Sequence, residues 1–142
     1  MRFKKLLSLG IILSMTSSVL VGCSSNKDNS KSSGESLKIT LVADVGGIND
    51  ESFNQSAWEG LQRAKDELGV YVNVLESKQS SDYVPNVETA VDNDSDLVIG
   101  VGFQMNTAIE NAAKSYPETN FAIIDASFEN QPENVSSLMF NA

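Results

Sequence analysis

The sequence predicts an α/β fold built on a parallel sheet. Three observations carry that reading: short runs rich in Ile, Val and Leu recur along the chain, stretches of helical periodicity separate them, and turn-forming residues mark the junctions. Crossovers of this kind are right-handed and leave the carboxyl ends of the strands along one edge of the sheet.

The first strand is Leu37 to Ala43, interrupted only by Lys38, as expected of a strand covered on both faces. Gly46 and Gly47 then supply a turn, and a helix opens behind them. Either Asp50 caps that helix, or Ser52 does with Gln55 as a capping box; both arrangements satisfy free amides of the first turn. Ala57, Leu61, Ala64 and Leu68 recur at helical spacing and define its buried stripe, Trp58 is read as a core residue, and Gly69 ends the helix.

A second strand follows over Val70 to Leu75. Asp82 to Asn93 is the second helix, with Val84, Val87 and Val91 on one face and Pro85 tolerated in its first turn. Leu97 to Phe103 is a third strand running into a glycine turn at Gly100 and Gly102. The third helix runs from Met105 to Tyr116 on Ile109, Ala112 and Ala113, and Pro117 stops it. Phe121 to Asp125 and Val135 to Phe140 are the fourth and fifth strands, the last cut short by the chain end.

Asp44, the turn Gly100 to Phe103, and Asp125 therefore fall at the carboxyl ends of the first, third and fourth strands, where open α/β sheets bind ligands. A strand, a glycine turn and a helix start also describe a phosphate cradle. Here there is no G-x-G-x-x-G and no lysine in the loop, and Asp44, Asp50 and Glu51 would repel an anion. A carboxylate beside glycines suits a neutral ligand that offers N–H or O–H donors, with Phe53 as a ring to stack on. The plainer reading of the same spacing is that Asp44 closes a turn and Phe53 packs in the core.

The first 22 residues stand apart. Arg2, Lys4 and Lys5 precede an apolar stretch from Leu6 to Val21 that is shorter than the roughly 20 residues of a membrane-spanning helix and has the make-up of an export signal. Leu20-Val21-Gly22-Cys23 resembles the lipobox of bacterial lipoproteins, in which the chain is cut before the cysteine and that residue receives lipid. Cys23 is the only cysteine. Residues 23–36 then form a lipid-anchored, serine-rich tether without apolar side chains, with a coil reach of roughly 20 Å. The protein is thus expected at the cell membrane, held by lipid on the outer, extracytoplasmic face.

Loss of the leader leaves seven basic residues against 19 acidic ones, which argues against nucleic acid as a partner. The chain has no histidine, and its sole cysteine is assigned to lipid, so the usual nucleophile–base pairs are missing. Two acids are the minimum for glycosidic chemistry, but Asp44 and Asp125 lack a recognisable supporting pattern. A binding module fits export, anchor and tether better than an enzyme. No catalytic residue, metal ligand or cofactor is expected.

Asp44-Val45-Gly46-Gly47-Ile48-Asn49-Asp50-Glu51-Ser52-Phe53-Asn54-Gln55, with Trp58-Glu59-Gly60, resembles the signature of the basic membrane protein family of bacterial lipoproteins. Gly100-Val101-Gly102-Phe103 and the segment from Tyr116-Pro117 to Asp125 are similar to the family as well. The resemblance implies a two-lobed periplasmic-binding-protein fold of type I. Residues 37–142 would be its N-terminal lobe, with the second lobe absent from this chain, either as a fragment or as a truncated product. It further implies a purine nucleoside as ligand and an ABC transporter permease as partner. By position, Asp44 and Asp125 would accept hydrogen bonds from the purine edge, Phe53 would stack on its face, and Asn54, Gly102 and Phe103 would line the pocket. A sugar receptor or a signalling lipoprotein of the same fold is the alternative.

Overall fold

The computed structural model describes residues 36–140. The expected leader, Cys23 and nearly all of the tether lie outside these residues. Five strands and three helices alternate: β1 (Lys38–Ala43), α1 (Phe53–Leu68), β2 (Tyr71–Glu76), α2 (Tyr83–Asp92), β3 (Leu97–Val101), α3 (Asn106–Ser115), β4 (Asn120–Ile124) and β5 (Val135–Leu138). Short 3-10 turns, Ser80–Asp82 and Phe103–Met105, lead into α2 and α3. The strands form one sheet in the order β2-β1-β3-β4-β5, and every neighbouring pair is parallel. The α/β lobe with a parallel sheet is therefore as the sequence predicts.

Successive residues of each strand face opposite sides, and both sides are covered. Val42, Val98, Phe121, Ile123 and Val135 pack with Tyr83, Val87 and Ala90 of α2 and with Ala108, Ile109, Ala112 and Ala113 of α3. Ile39, Leu41, Val101 and Ile124 point the other way, where Leu61 of α1 joins them, with Ala57 and Trp58 packed alongside. Each large apolar side chain buried in this way contributes about 1.5–3 kcal/mol relative to exposure. The buried Thr40 and Ser95 satisfy one another through hydroxyls 2.7 Å apart.

Two expected helix faces shift. Leu68 is 75% exposed, because Gly69 takes a left-handed conformation (φ 73°) and turns the chain so that Val70 covers the core in its place. On α2 the buried stripe is Tyr83, Val87 and Ala90, one position away from Val84, which is exposed. The third strand stops at Val101 and not at Phe103, since Gly102 (φ 82°) breaks the extended backbone. Residues 139 and 140 likewise lie beyond β5. Among the described residues no helix is long and apolar enough to cross a membrane.

The register aligns the strand ends. Ala43 lies opposite Glu76, Val101 opposite Ile124, and Ile124 opposite Leu138. Asp44, Glu76, Gly102 and Asp125 consequently share one edge of the sheet.

Candidate functional site

The loop after β1 is held by carboxylates that accept backbone and side-chain N–H groups. Asp44 Oδ1 accepts the amide of Gly46 at 2.8 Å, and the Gly47 amide donates to the Asp44 carbonyl at 3.1 Å. Gly47 sits at φ 67°, in the left-handed region, and a Cβ there would lie 2.8 Å from Glu76 Oε2. That oxygen accepts the amide of Ile48 at 3.1 Å, tying the loop to the end of β2. Glu76 escaped the sequence reading. It is a strand ending in an acid, the same signal that picked out Asp44 and Asp125.

Asp50 caps α1. Its Oδ1 accepts the amides of Ser52 and Gln55 at 2.9 and 3.0 Å, and its Oδ2 accepts the amide of Asn54 at 3.2 Å and the Asn54 carboxamide at 2.8 Å. Ser52 makes no side-chain cap bond, so the capping-box alternative does not form. Burial pushes the Asp50 carboxyl up, but the donors from Gln55, Asn54 and Ser52 together outweigh it and hold the group below the ordinary aspartate value.

Asn54 is 2% exposed, and its carboxamide is fully engaged. Nδ2 donates to Asp44 Oδ1 and to Asp50 Oδ2, both at 2.8 Å, while Oδ1 accepts the Asp44 amide at 3.1 Å. Its expected place in the pocket lining thus becomes one behind the surface. Asp44 Oδ2 has no donor among the described residues. It faces Gly102, where a Cβ would lie 3.4 Å away.

At the neighbouring strand ends the Gly102 amide donates to the Ile124 carbonyl at 2.9 Å, and the Asp125 amide to the Leu138 carbonyl at 2.9 Å. Asp125 adopts φ 56°, a left-handed conformation that aspartate tolerates better than most residues. Phe103, beside Gly102, is 72% exposed, and Phe53, on the first residue of α1, is 38% exposed. The Phe53 ring lies 5.5 Å from that of Phe140, tilted by 47°. Phe140 is a contact that spacing alone does not reveal, because it comes from beyond β5. With β3 between them, the strands bearing Asp44 and Asp125 stand roughly 10 Å apart.

The edge thus presents two half-buried carboxylates, a glycine that clears space before one of them, and exposed aromatic rings. It can accept hydrogen bonds from a neutral ligand and stack on a flat one. The opposite edge holds an open cleft of about 440 Å³ lined by Ser36, Leu37, Lys38, Asp94 and Asp96, in which the Lys38 amide occupies Asp96 Oδ2 at 2.7 Å. That cleft has mixed charge and no ring. Among the described residues no three His, Cys, Asp or Glu side chains converge as metal ligands.

Residues 37–142 match the family described as ABC transporter substrate-binding protein PnrA-like. The chain is 40% identical over 147 residues to the CD4+ T-cell-stimulating antigen of Listeria innocua, an alignment covering 96% of this chain and 41% of the relative. It is 38% identical to the ABC transporter nucleoside-binding protein BmpA of Lactococcus lactis, over 96% of this chain and 40% of that protein. The crystal structure of an ABC transporter solute-binding protein from Aeropyrum pernix superposes with a TM-score of 0.66 at 33% identity, covering 71% of this chain and 28% of that one. The chain spans about two fifths of the length of the curated relatives it matches.

Proposed function

Since this chain belongs to the PnrA-like family of ABC transporter substrate-binding proteins, we propose that its carboxyl edge is one wall of a cleft that captures purine nucleosides for an ABC transporter permease. The observation that carries the proposal is Asp44 Oδ2, which has no donor among the described residues and is set against Gly102, beside the start of the helix that carries Phe53. An ionised carboxylate only accepts hydrogen bonds, so it selects ligand groups that donate them, such as the ring and exocyclic N–H groups of a purine. Phe53 stacks on the face of the base, Gly102 and Phe103 line the rim, and Asp125 accepts from the far end of the ligand. Stacking on an aromatic side chain is worth roughly 1–3 kcal/mol per base. The nucleoside-binding relative from Lactococcus lactis supports a nucleoside over a free sugar.

In the same proposal Cys23 is lipidated after removal of residues 1–22, and residues 24–36 tether the lobe on the outer face of the membrane. The protein delivers its ligand to the transporter and does no chemistry on it. Equilibrium dialysis of guanosine, adenosine and ribose against the full-length protein tests the assignment. Retention of the nucleosides but not of ribose is expected; retention of ribose alone would replace the nucleoside with a sugar.

A further inference from the structure

We propose that Asn54 is a positioning residue for the ligand-facing carboxylate: its buried carboxamide saturates Asp44 Oδ1 from inside the protein and leaves Oδ2 alone to receive the ligand. This rests on the assignment of Asp44 to the cleft. A carboxylate on a short side chain can change its χ1 rotamer and turns easily about its last torsion, so an unheld Asp44 would not keep an oxygen aimed at the cleft. Here the rotation is closed off. The Asp44 amide donates to Asn54 Oδ1 and Asn54 Nδ2 donates back to Asp44 Oδ1, a reciprocal pair between the two residues, and the Gly46 amide adds a second bond on Asp44 Oδ1.

Asparagine is the side chain that the site requires. It must donate to two carboxylates and accept from an amide at once, and aspartate, which has the same shape, has no proton to donate when ionised. Asn54 is itself held by Asp50 Oδ2, and Asp50 is fixed by the amides of Ser52, Asn54 and Gln55. The first turn of α1, which carries Phe53, is thereby bonded through Asp50 and Asn54 to the end of β1, which carries Asp44. Ring and carboxylate are set as one unit. Gly46 completes it: a Cβ there would lie 3.1 Å from Asp44 Oδ1, 3.2 Å from Asn54 Nδ2 and 3.3 Å from Asp50 Cβ, so a side chain at that position would have to push these groups apart by a few tenths of an ångström.

A double-mutant cycle in guanosine affinity on the full-length protein tests this. Asn54→Ala should weaken binding about tenfold or more, and Asp44→Ala/Asn54→Ala should bind no worse than Asp44→Ala alone, because Asn54 acts only through that carboxylate. Losses that multiply would overturn the proposal and leave Asn54 a merely structural residue. Asn54→Asp keeps the shape where Asn54→Ala folds poorly, and it should lose as much affinity; unchanged affinity would also overturn the proposal. The couplings from the Asp44 carboxyl carbon to its backbone, measured by NMR without ligand, separate this inference from the nucleoside assignment. One fixed Asp44 rotamer in the wild type that becomes averaged in Asn54→Ala supports the positioning role even if guanosine does not bind, and a rotamer unchanged by the substitution contradicts it.

Discussion

Gly46 and Gly102 flank the same carboxylate for different physical reasons, and substitution separates them. At Gly102 there is room for a methyl group, since its Cβ would meet Asp44 Oδ2 at an ordinary 3.4 Å, but φ is 82°. Gly102→Ala should therefore cost about 1–3 kcal/mol of stability from backbone strain alone, because φ 82° with ψ 156° is a conformation essentially confined to glycine. At Gly46 the backbone is unstrained and the space is missing, so Gly46→Ala must push the three polar groups apart by a few tenths of an ångström, at about 1–3 kcal/mol. Urea denaturation of the two variants measures both costs. Asp125, at φ 56°, gives the complementary case. Asp125→Gly should leave stability within about 1 kcal/mol of the parent while removing a carboxylate from the edge, whereas the β-branched Asp125→Val should be clearly destabilised.

At the scale of elements, the N-terminus of α1 depends on one acid. Asp50→Ala removes four accepted hydrogen bonds from the first turn and should cost about 1–2 kcal/mol. Because the folded Asp50 lies below the ordinary aspartate value, the unfolded chain binds its proton first as pH falls. Its contribution is then complete above about pH 4 and is lost as pH drops through the lowered folded value. Denaturation midpoints between pH 7 and pH 2 should show an acid limb that flattens in Asp50→Asn. Along the same helix, Leu61→Ala should cost about 2–5 kcal/mol and Leu68→Ala less than about 0.5 kcal/mol, because the first is buried and the second faces solvent.

These elements also show what the sequence makes legible. Strands covered on both faces announce themselves as continuous apolar runs, so Leu41, Val98 and Ile123 are recognisable as core without coordinates. Helix faces are less secure, because one position of rotation moves a side chain by about 100°; Val84 and Leu68 both fit the period and both end in solvent. Strand ends are legible as a class, which is how Asp44 and Asp125 were found. Residue type does not say whether an amide touches a ligand or the residue that does, and Asn54 looks the same either way. Glu76 and Phe140 reach the site from β2 and from beyond β5, contacts that depend on tertiary placement.

For the whole molecule the decisive fact is an open edge. The carboxylates and rings line one side of a single sheet, and the chain spans about two fifths of the relatives it matches. Ligand sites of this kind usually bury 70–90% of a small molecule. Residues 36–142 present one wall and leave a base half solvated, so they should bind guanosine at least about tenfold more weakly than the nucleoside-binding relative from Lactococcus lactis measured alongside. Equal affinity of the two proteins would place the whole site within this lobe.

The most direct measurement is a calorimetric titration of guanosine into the full-length protein, repeated on Asp44→Ala and Phe53→Ala. Saturable binding in the parent that drops at least tenfold in each variant is the expected result. No saturable heat from a protein shown to be folded, or affinity indifferent to both substitutions, would contradict the assignment of the carboxyl edge as the nucleoside site.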